Sequence, residues 1–229
     1  SLLPMLPVAV ALAGLISPAL RRPAAGKAAS VILLLWLGFL VGKTVTYASL
    51  WDDAVALTRQ AYDLYPESEV IEDFLLGSYN NSTFDLIARG RFDEAAERYR
   101  RALAINPDFA VIRRNLGLVY LRQEKYSAAV EEFAASIRSR PQFIEAYHDL
   151  ARAWKLLGKP AEALAVLAEG ADKNPSAVSL RAALGFEYLE EGLPGAASGA
   201  FGTALSLDPS SAAAKRGLAA VQRMGERKK

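Results

Sequence analysis

Chemistry by side chains is nearly absent from this sequence: among 229 residues there is one histidine and no cysteine. The histidine, His148, has Glu145 and Asp149 close by. A carboxylate beside an imidazole is half of a catalytic arrangement; the other half is a nucleophile in a water-excluded pocket. Neither is visible, so His148 reads as a groove or surface residue. Without cysteine there are no disulfides, thiolate metal sites or thiol nucleophiles, and the redox compartment stays open. No phosphate-cradling glycine loop, nucleophile elbow or metal-ligand spacing is present. We therefore assign no catalytic, cofactor-binding or metal-binding residue. Glu94, Glu97, Glu131 and Glu132 are expected to make exposed i,i+4 pairs. Asn80-Asn81-Ser82-Thr83 holds two overlapping glycosylation sequons inside a helix-forming stretch, which reads as chance.

What remains is binding, and binding depends on the elements that present it. Pro107, Pro141, Pro175 and Pro209 stand 34 residues apart. Ahead of each runs a small residue, an aromatic or leucine, and another small residue: Ala95, Tyr99, Ala102; Ala129, Phe133, Ser136; Ala163, Leu167, Gly170; Ala197, Phe201, Ala204. Earlier in the units stand Leu116-Gly117 with Tyr120, Leu150-Ala151 with Trp154, and Leu184-Gly185 with Tyr188, whereas the first unit has Ser82-Thr83. Small residues let two antiparallel helices approach and the large ones fill the gaps. Proline then ends the second helix. A fixed period of this length marks stacked helical hairpins, which need about three or more copies to bury a core.

The pattern is similar to the tetratricopeptide repeat. It predicts an all-α chain, a right-handed superhelix of four repeats over 76–109, 110–143, 144–177 and 178–211. Beyond Pro209, residues 212–224 read as an amphipathic capping helix with Leu218 and Val221 inward, followed by a frayed basic end within 212–229. First helices of such repeats line a concave face. The residues expected there are Asn80, Phe84 and Ile87; Arg114, Leu118, Leu121 and Arg122; His148, Arg152 and Lys155; and Phe186, Leu189 and Glu190. Arg114, Arg122, Arg152 and Lys155 fall on one side, so the middle of the groove is expected to be basic and to suit an extended acidic peptide or chain terminus. The alternative is a solvated helix face.

The other end differs in kind. Residues 1–50 carry no acid and only Arg21, Arg22, Lys27 and Lys43 as bases, so all 25 acidic residues and 23 basic ones lie beyond. That later part is near neutral, which does not call for a nucleic-acid partner. Residues 2–20 are uncharged, about the ~20 residues a bilayer crossing needs, and a second apolar run spans 28–50. Two transmembrane helices joined by the loop 21–27 are expected, with the lipid bilayer as a partner. Tyr47 and Trp51 would lie near the headgroups, and Lys43 would snorkel to the interface. Gly38 and Gly42 form a small-xxx-small pair that would admit another membrane helix. Three positive charges in the loop place it on the cytoplasmic side and the repeats in a periplasm or lumen. A signal peptide is the competing reading of the first run, and it lacks the basic start. Because position 1 is serine, we expect a piece of something longer.

Between these parts, residues 51–75 read as a half-repeat, since Ala54, Thr58, Ala61 and Pro66 repeat the spacing of Ala95, Tyr99, Ala102 and Pro107. Its first helix is missing, and the membrane helix is expected to take that place. The interval from Pro66 to Pro107 holds seven extra residues, expected to lengthen the helix or loop around 67–76. Thr44, Trp51-Asp52-Asp53 and Leu57, followed by a Pro-terminated helix and repeats, resemble the tail of GT-C type glycosyltransferases, the transmembrane-and-tetratricopeptide O-mannosyltransferase family. The family's arginines beside the threonine are absent here, where Thr46 and Tyr47 stand instead. The resemblance implies the non-catalytic end of a lipid-linked-sugar transferase, its catalytic acids far upstream, with repeats that present the acceptor. Oligosaccharide ligases and polymerases with terminal repeats, or an accessory subunit of a membrane complex, are alternatives. The leading expectation is a membrane-anchored scaffold that binds a protein or peptide.

Overall fold

The computed structural model describes residues 54–226. The expected membrane helices, the loop 21–27, Gly38 and Gly42 lie outside the described residues. Two compact units divide the chain, Ser1–Ala61 and Tyr62–Lys229. The described residues form ten helices, none long and apolar enough to cross a membrane. Helix α1 (Ala54–Leu64) forms where the half-repeat was expected to have its helix; the Thr58 hydroxyl donates to the Ala54 carbonyl at 2.7 Å.

In the second unit the helices pair as hairpins. They are α2 (Glu69–Ala88) with α3 (Phe92–Leu103), α4 (Ala110–Arg122) with α5 (Tyr126–Ser139), α6 (Ile144–Leu156) with α7 (Pro160–Lys173), and α8 (Val178–Glu190) with α9 (Pro194–Leu207). Helix α10 (Ala212–Glu226) follows, its Leu218 and Val221 packed on the cluster around Phe201. Starts at Ala110, Ile144, Val178 and Ala212 keep the proline period. Helix α2 has 20 residues against 13 in α4, α6 and α8, so the extra length is helical. Ser68 caps it, accepting from the Ile71 amide at 3.5 Å, and Glu69 and Glu72 complement the dipole of the first turn.

Each hairpin turns through one left-handed residue, at Gly90, Glu124, Gly158 and Gly192, again 34 apart. The turns share one hydrogen-bond pattern, in which the next residue's amide reaches back five positions: Arg91 to Leu86, Lys125 to Tyr120, Lys159 to Trp154, Leu193 to Tyr188. Glycine adopts this conformation without steric cost, but Glu124 at φ 60° does not.

The core is built by size complementarity. A Cβ on Gly117 would stand 2.6 Å from the Phe133 ring, and one on Gly185 would stand 2.6 Å from Phe201. The third hairpin has Ala151 and Leu167 at the same positions, a larger residue facing a smaller one. The first has Thr83 and Tyr99, both fully buried, with the Thr83 hydroxyl donating to the Tyr79 carbonyl at 2.6 Å. Buried Ser136 ties α5 to α4 through the Ala110 carbonyl at 2.8 Å.

Candidate binding groove

The first helix of each hairpin touches the first helix of the next, α2 to α4 to α6 to α8 to α10, while among the described residues successive second helices do not meet. First helices therefore form the tighter, inner layer. The residues expected to face a groove lie on this layer, and the structure divides them into two groups.

One group bridges the layer. Asn115 donates to the Asn80 amide oxygen at 2.7 Å, joining α4 to α2. Arg114 donates to Asp149 at 2.6 Å, joining α4 to α6, with both side chains mostly buried. Its guanidinium also lies 5.7 Å from the centre of the Phe143 ring. His148 Nε2 lies 3.2 Å from the Ser179 hydroxyl, and Lys155 donates to Glu187 at 2.9 Å and Glu190 at 2.8 Å, both joining α6 to α8. Burial works against the Lys155 charge, but the bonds to Glu190 and Glu187 outweigh it and raise its pKa. Burial also lowers the His148 pKa, opposed by Asp149 and Glu145. Phe186 turns edge-on to Phe201, centroids 5.0 Å apart, and serves the core as much as the surface. Leu189 packs on the same cluster.

The expected basic middle is corrected by these bonds. Arg114 and Lys155 carry their neutralising carboxylates within the chain, because residues 32 to 35 apart on adjacent first helices come face to face. Among the described residues, no carboxylate pairs with Arg122 or Arg152. Positive charge narrows to those two.

The second group lines a cleft of about 440 Å³ across the first three hairpins. Phe84, Ile87, Leu118, Leu121, Arg122 and Arg152 were expected on the face; Tyr99, Asn115, Val119, Glu124, Tyr126 and Leu156 complete the wall. Phe84 and Leu156 remain 53% and 45% exposed, high for large apolar side chains. Among the described residues the buried Tyr99 hydroxyl makes no well-aligned hydrogen bond, although the Asn115 side chain stands beside it. Burial pushes its phenol up to about 12, which the neighbouring Asn115 opposes. A comparison within the repeats would have found Tyr99 and Glu124. Tyr99 stands where Phe133, Leu167 and Phe201 carry no hydroxyl, and Glu124 where three glycines stand.

Elsewhere, exposed Glu97 pairs with Arg101 at the expected i,i+4 spacing, whereas Glu94 with Arg91 and Glu97 with Arg100 are exposed i,i+3 pairs. Glu132 does not; it meets Arg113 of α4 at 3.1 Å and ties the hairpin together. Asn80 and Asn81 lie inside α2.

Comparison with known proteins agrees with this geometry. A family described as TPR repeat matches residues 85–124, and one described as tetratricopeptide repeat matches 120–184. Tetratricopeptide repeat protein 28 of Mus musculus is 29% identical over 91 residues, 40% of this chain and 4% of that protein. A FAM10 family protein of Arabidopsis thaliana is 33% identical over 79 residues, 34% of this chain and 18% of that protein. The chain thus spans a small part of these relatives. Among solved structures, a tetratricopeptide repeat protein from Parabacteroides merdae has a TM-score of 0.57 at 20% identity, covering 66% of this chain and 60% of that one. YrrB, described as a TPR protein with an unusual peptide-binding site, has a TM-score of 0.53 at 21% identity, covering 76% and 86%. Residues 85–184 thus match tetratricopeptide-repeat families, and the solenoid has the fold of such repeats.

Proposed function

We propose that this tetratricopeptide-repeat chain is a membrane-anchored scaffold whose inner layer of first helices captures a protein or peptide. The observation that carries the reading is the open cleft on that layer, walled by exposed Phe84 and Leu156 and by the guanidiniums of Arg122 and Arg152, with which no carboxylate among the described residues pairs. YrrB, similar in fold, has a peptide-binding site by its description, which supports peptide capture by such a solenoid. Pull-down with the full chain tests it. Charge reversal at Arg122 and Arg152 is expected to reduce the captured set, and an unchanged set would remove the groove from the function. Arg114 is the wrong residue for this test, because Asp149 already occupies it.

The anchoring part rests on sequence. The uncharged run 2–20 and the apolar run 28–50 support two membrane helices, with the repeats on the periplasmic or lumenal side. Carbonate extraction followed by protease protection of sealed vesicles tests both; release at high pH, or digestion of the repeats from the cytoplasmic side, would sink this part.

A second reading comes from the junction of Thr44, Trp51-Asp52-Asp53 and Leu57, which resembles the tail of GT-C glycosyltransferases. In that reading the repeats hold an acceptor near a catalytic domain upstream. The intact mass of the native protein tests it: a mass near 24.7 kDa excludes an upstream catalytic domain.

A further inference from the structure

Stacked repeats bury a fixed set of positions on each first helix. Ile112, Ala146, Leu180 and Ala214 stand 34 residues apart and all are fully buried. Ala214 packs with Phe201 and Ala204 of the preceding hairpin. In α2 this place belongs to Ser78, whose hydroxyl donates back to the Phe74 carbonyl at 2.8 Å. Val119, Ala153 and the Lys155-bound Glu187, also buried, correspond to exposed Asp85. The repeat-matched part of α2 is therefore polar on the face where later helices stack, as the end of a solenoid in water requires.

The two extra turns of α2 break that rule. Val70 and Phe74 precede Gly77, Ser78 and Asn81 at helical spacing, and with Asp73 they line one open cleft of about 380 Å³. Val70 and Phe74 are both 65% exposed; Leu64 and Tyr65, just ahead of them, are 68% and 64% exposed. Among the described residues, half of the exposed large apolar side chains thus fall within 64–74. All four belong to the second compact unit. One more stacked hairpin would bury Ser78 and Asp85, so a missing repeat does not explain them, and water does not favour them.

The sequence around the patch names its occupant. Residues 51–53 alone separate the apolar run 28–50 from α1, which adds 11 residues at about 1.5 Å each. If that run spans a bilayer, chain length keeps Leu64 within about 30 Å of the point where it leaves. A tether that short holds the patch at high effective concentration over the surface, so a few apolar side chains suffice. Residues 60–88 contain no base, but Asp63, Glu67, Glu69, Glu72, Asp73 and Asp85. The attraction is therefore apolar, and anionic headgroups oppose it.

We infer that the first hairpin docks on the bilayer surface through Leu64, Tyr65, Val70 and Phe74, which enter the boundary between headgroups and acyl chains of a zwitterionic leaflet. Tyrosine suits that boundary, with its ring in the apolar layer and its hydroxyl in the wet one. None of the four lines the cleft at Phe84, so docking and capture use different residues. The inference deepens the membrane-anchored reading above and rests on it.

The chain has no cysteine, so a single introduced one carries a probe without background. The full chain with Phe74→Cys, or with Leu207→Cys in the last hairpin, is labelled with the environment-sensitive dye NBD. It is reconstituted in phosphatidylcholine vesicles, with and without lipid bearing a doxyl quencher near the headgroup. Expected is blue-shifted emission with at least twofold quenching at position 74, and neither at 207. Adding Leu64→Ser, Tyr65→Ser and Val70→Ser is expected to abolish both effects. These side chains are exposed, so thermal melts of that variant should match its parent. Replacing half of the lipid by phosphatidylglycerol is expected to weaken the quenching. If position 74 is quenched no more than 207, or the triple variant keeps its quenching, the inference fails; a chain still retained through carbonate extraction then leaves the anchor reading standing. A blue shift without quenching that vanishes at low protein per vesicle assigns the patch to a second copy and overturns the inference. Quenching that grows with phosphatidylglycerol overturns it too. Release by carbonate removes anchor and docking together.

Discussion

Arg114 Nε donates to Asp149 Oδ2 at 2.6 Å, across one full repeat of sequence. The two side chains are 25% and 14% exposed, so the pair is shielded from water and links α4 to α6 along the inner layer. Its position identifies it as a joint between hairpins rather than a free contact for a ligand.

Breaking that joint is expected to destabilise the solenoid. Arg114→Ala leaves a mostly buried carboxylate unpaired and should cost about 1–3 kcal/mol. Arg114→Ala and Asp149→Ala should couple by about 1 kcal/mol in a double-mutant cycle by urea unfolding. A coupling of zero would reduce the contact to a surface pair.

The strained turn should respond in the opposite direction. Glu124→Gly removes a Cβ from a left-handed residue and is expected to raise stability by about 0.5–1 kcal/mol, even though glycine loosens the unfolded chain. Gly158→Ala, at the equivalent turn, should lower it by a similar amount. Thermal melts of the two variants against wild type decide this.

Size complementarity gives a rescue experiment. Gly117→Ala brings a methyl group onto Phe133 and is expected to cost about 1–3 kcal/mol. Adding Phe133→Leu recreates the Ala and Leu combination of the third hairpin and should restore much of the loss. If the double variant is as weak as the sum of the singles, the pair is not complementary.

Removing the Tyr99 hydroxyl tests how well it is satisfied. Tyr99→Phe is expected to be neutral or to stabilise by about 1 kcal/mol, since it deletes a buried donor that lacks a well-aligned hydrogen bond without changing the ring. Lower stability in urea would mean that the hydroxyl is satisfied in the folded chain.

Acid should loosen the joint between α6 and α8. Burial lowers the His148 pKa in the folded chain, so below the ordinary value of 6.5 the unfolded chain binds the extra proton first. Stability from this group is fully present above that value and declines as pH falls from there towards the folded pKa. His148→Gln should flatten the decline; an identical pH profile for the variant would assign it to other groups.

The helices themselves were legible in the sequence. A 34-residue proline period, small residues facing large ones, and helix starts in step with the prolines all depend on neighbours within about one hairpin. Even the seven additional residues before the first repeat appear as two extra turns of α2, since that stretch has a capping serine and no helix breaker. The cleft was half legible. Phe84, Leu118, Arg122 and Arg152 follow from helical periodicity, whereas Tyr99, Glu124 and Leu156 emerge only when hairpins are compared or stacked.

By itself the sequence determined the repeat, its period and which helix faces inward, because these follow from local periodicity and steric fit. Only the tertiary structure decided which charges remain free. Arg114, Arg122, Arg152 and Lys155 look alike in sequence, all basic and all on first helices. Stacking brings Asp149 to Arg114, and Glu187 with Glu190 to Lys155, at distances where Coulomb attraction and hydrogen bonding neutralise them. It leaves Arg122 and Arg152 opposite leucines. That choice depends on pairs some 34 residues apart, and it turns a uniformly basic groove into one cleft with two available cations.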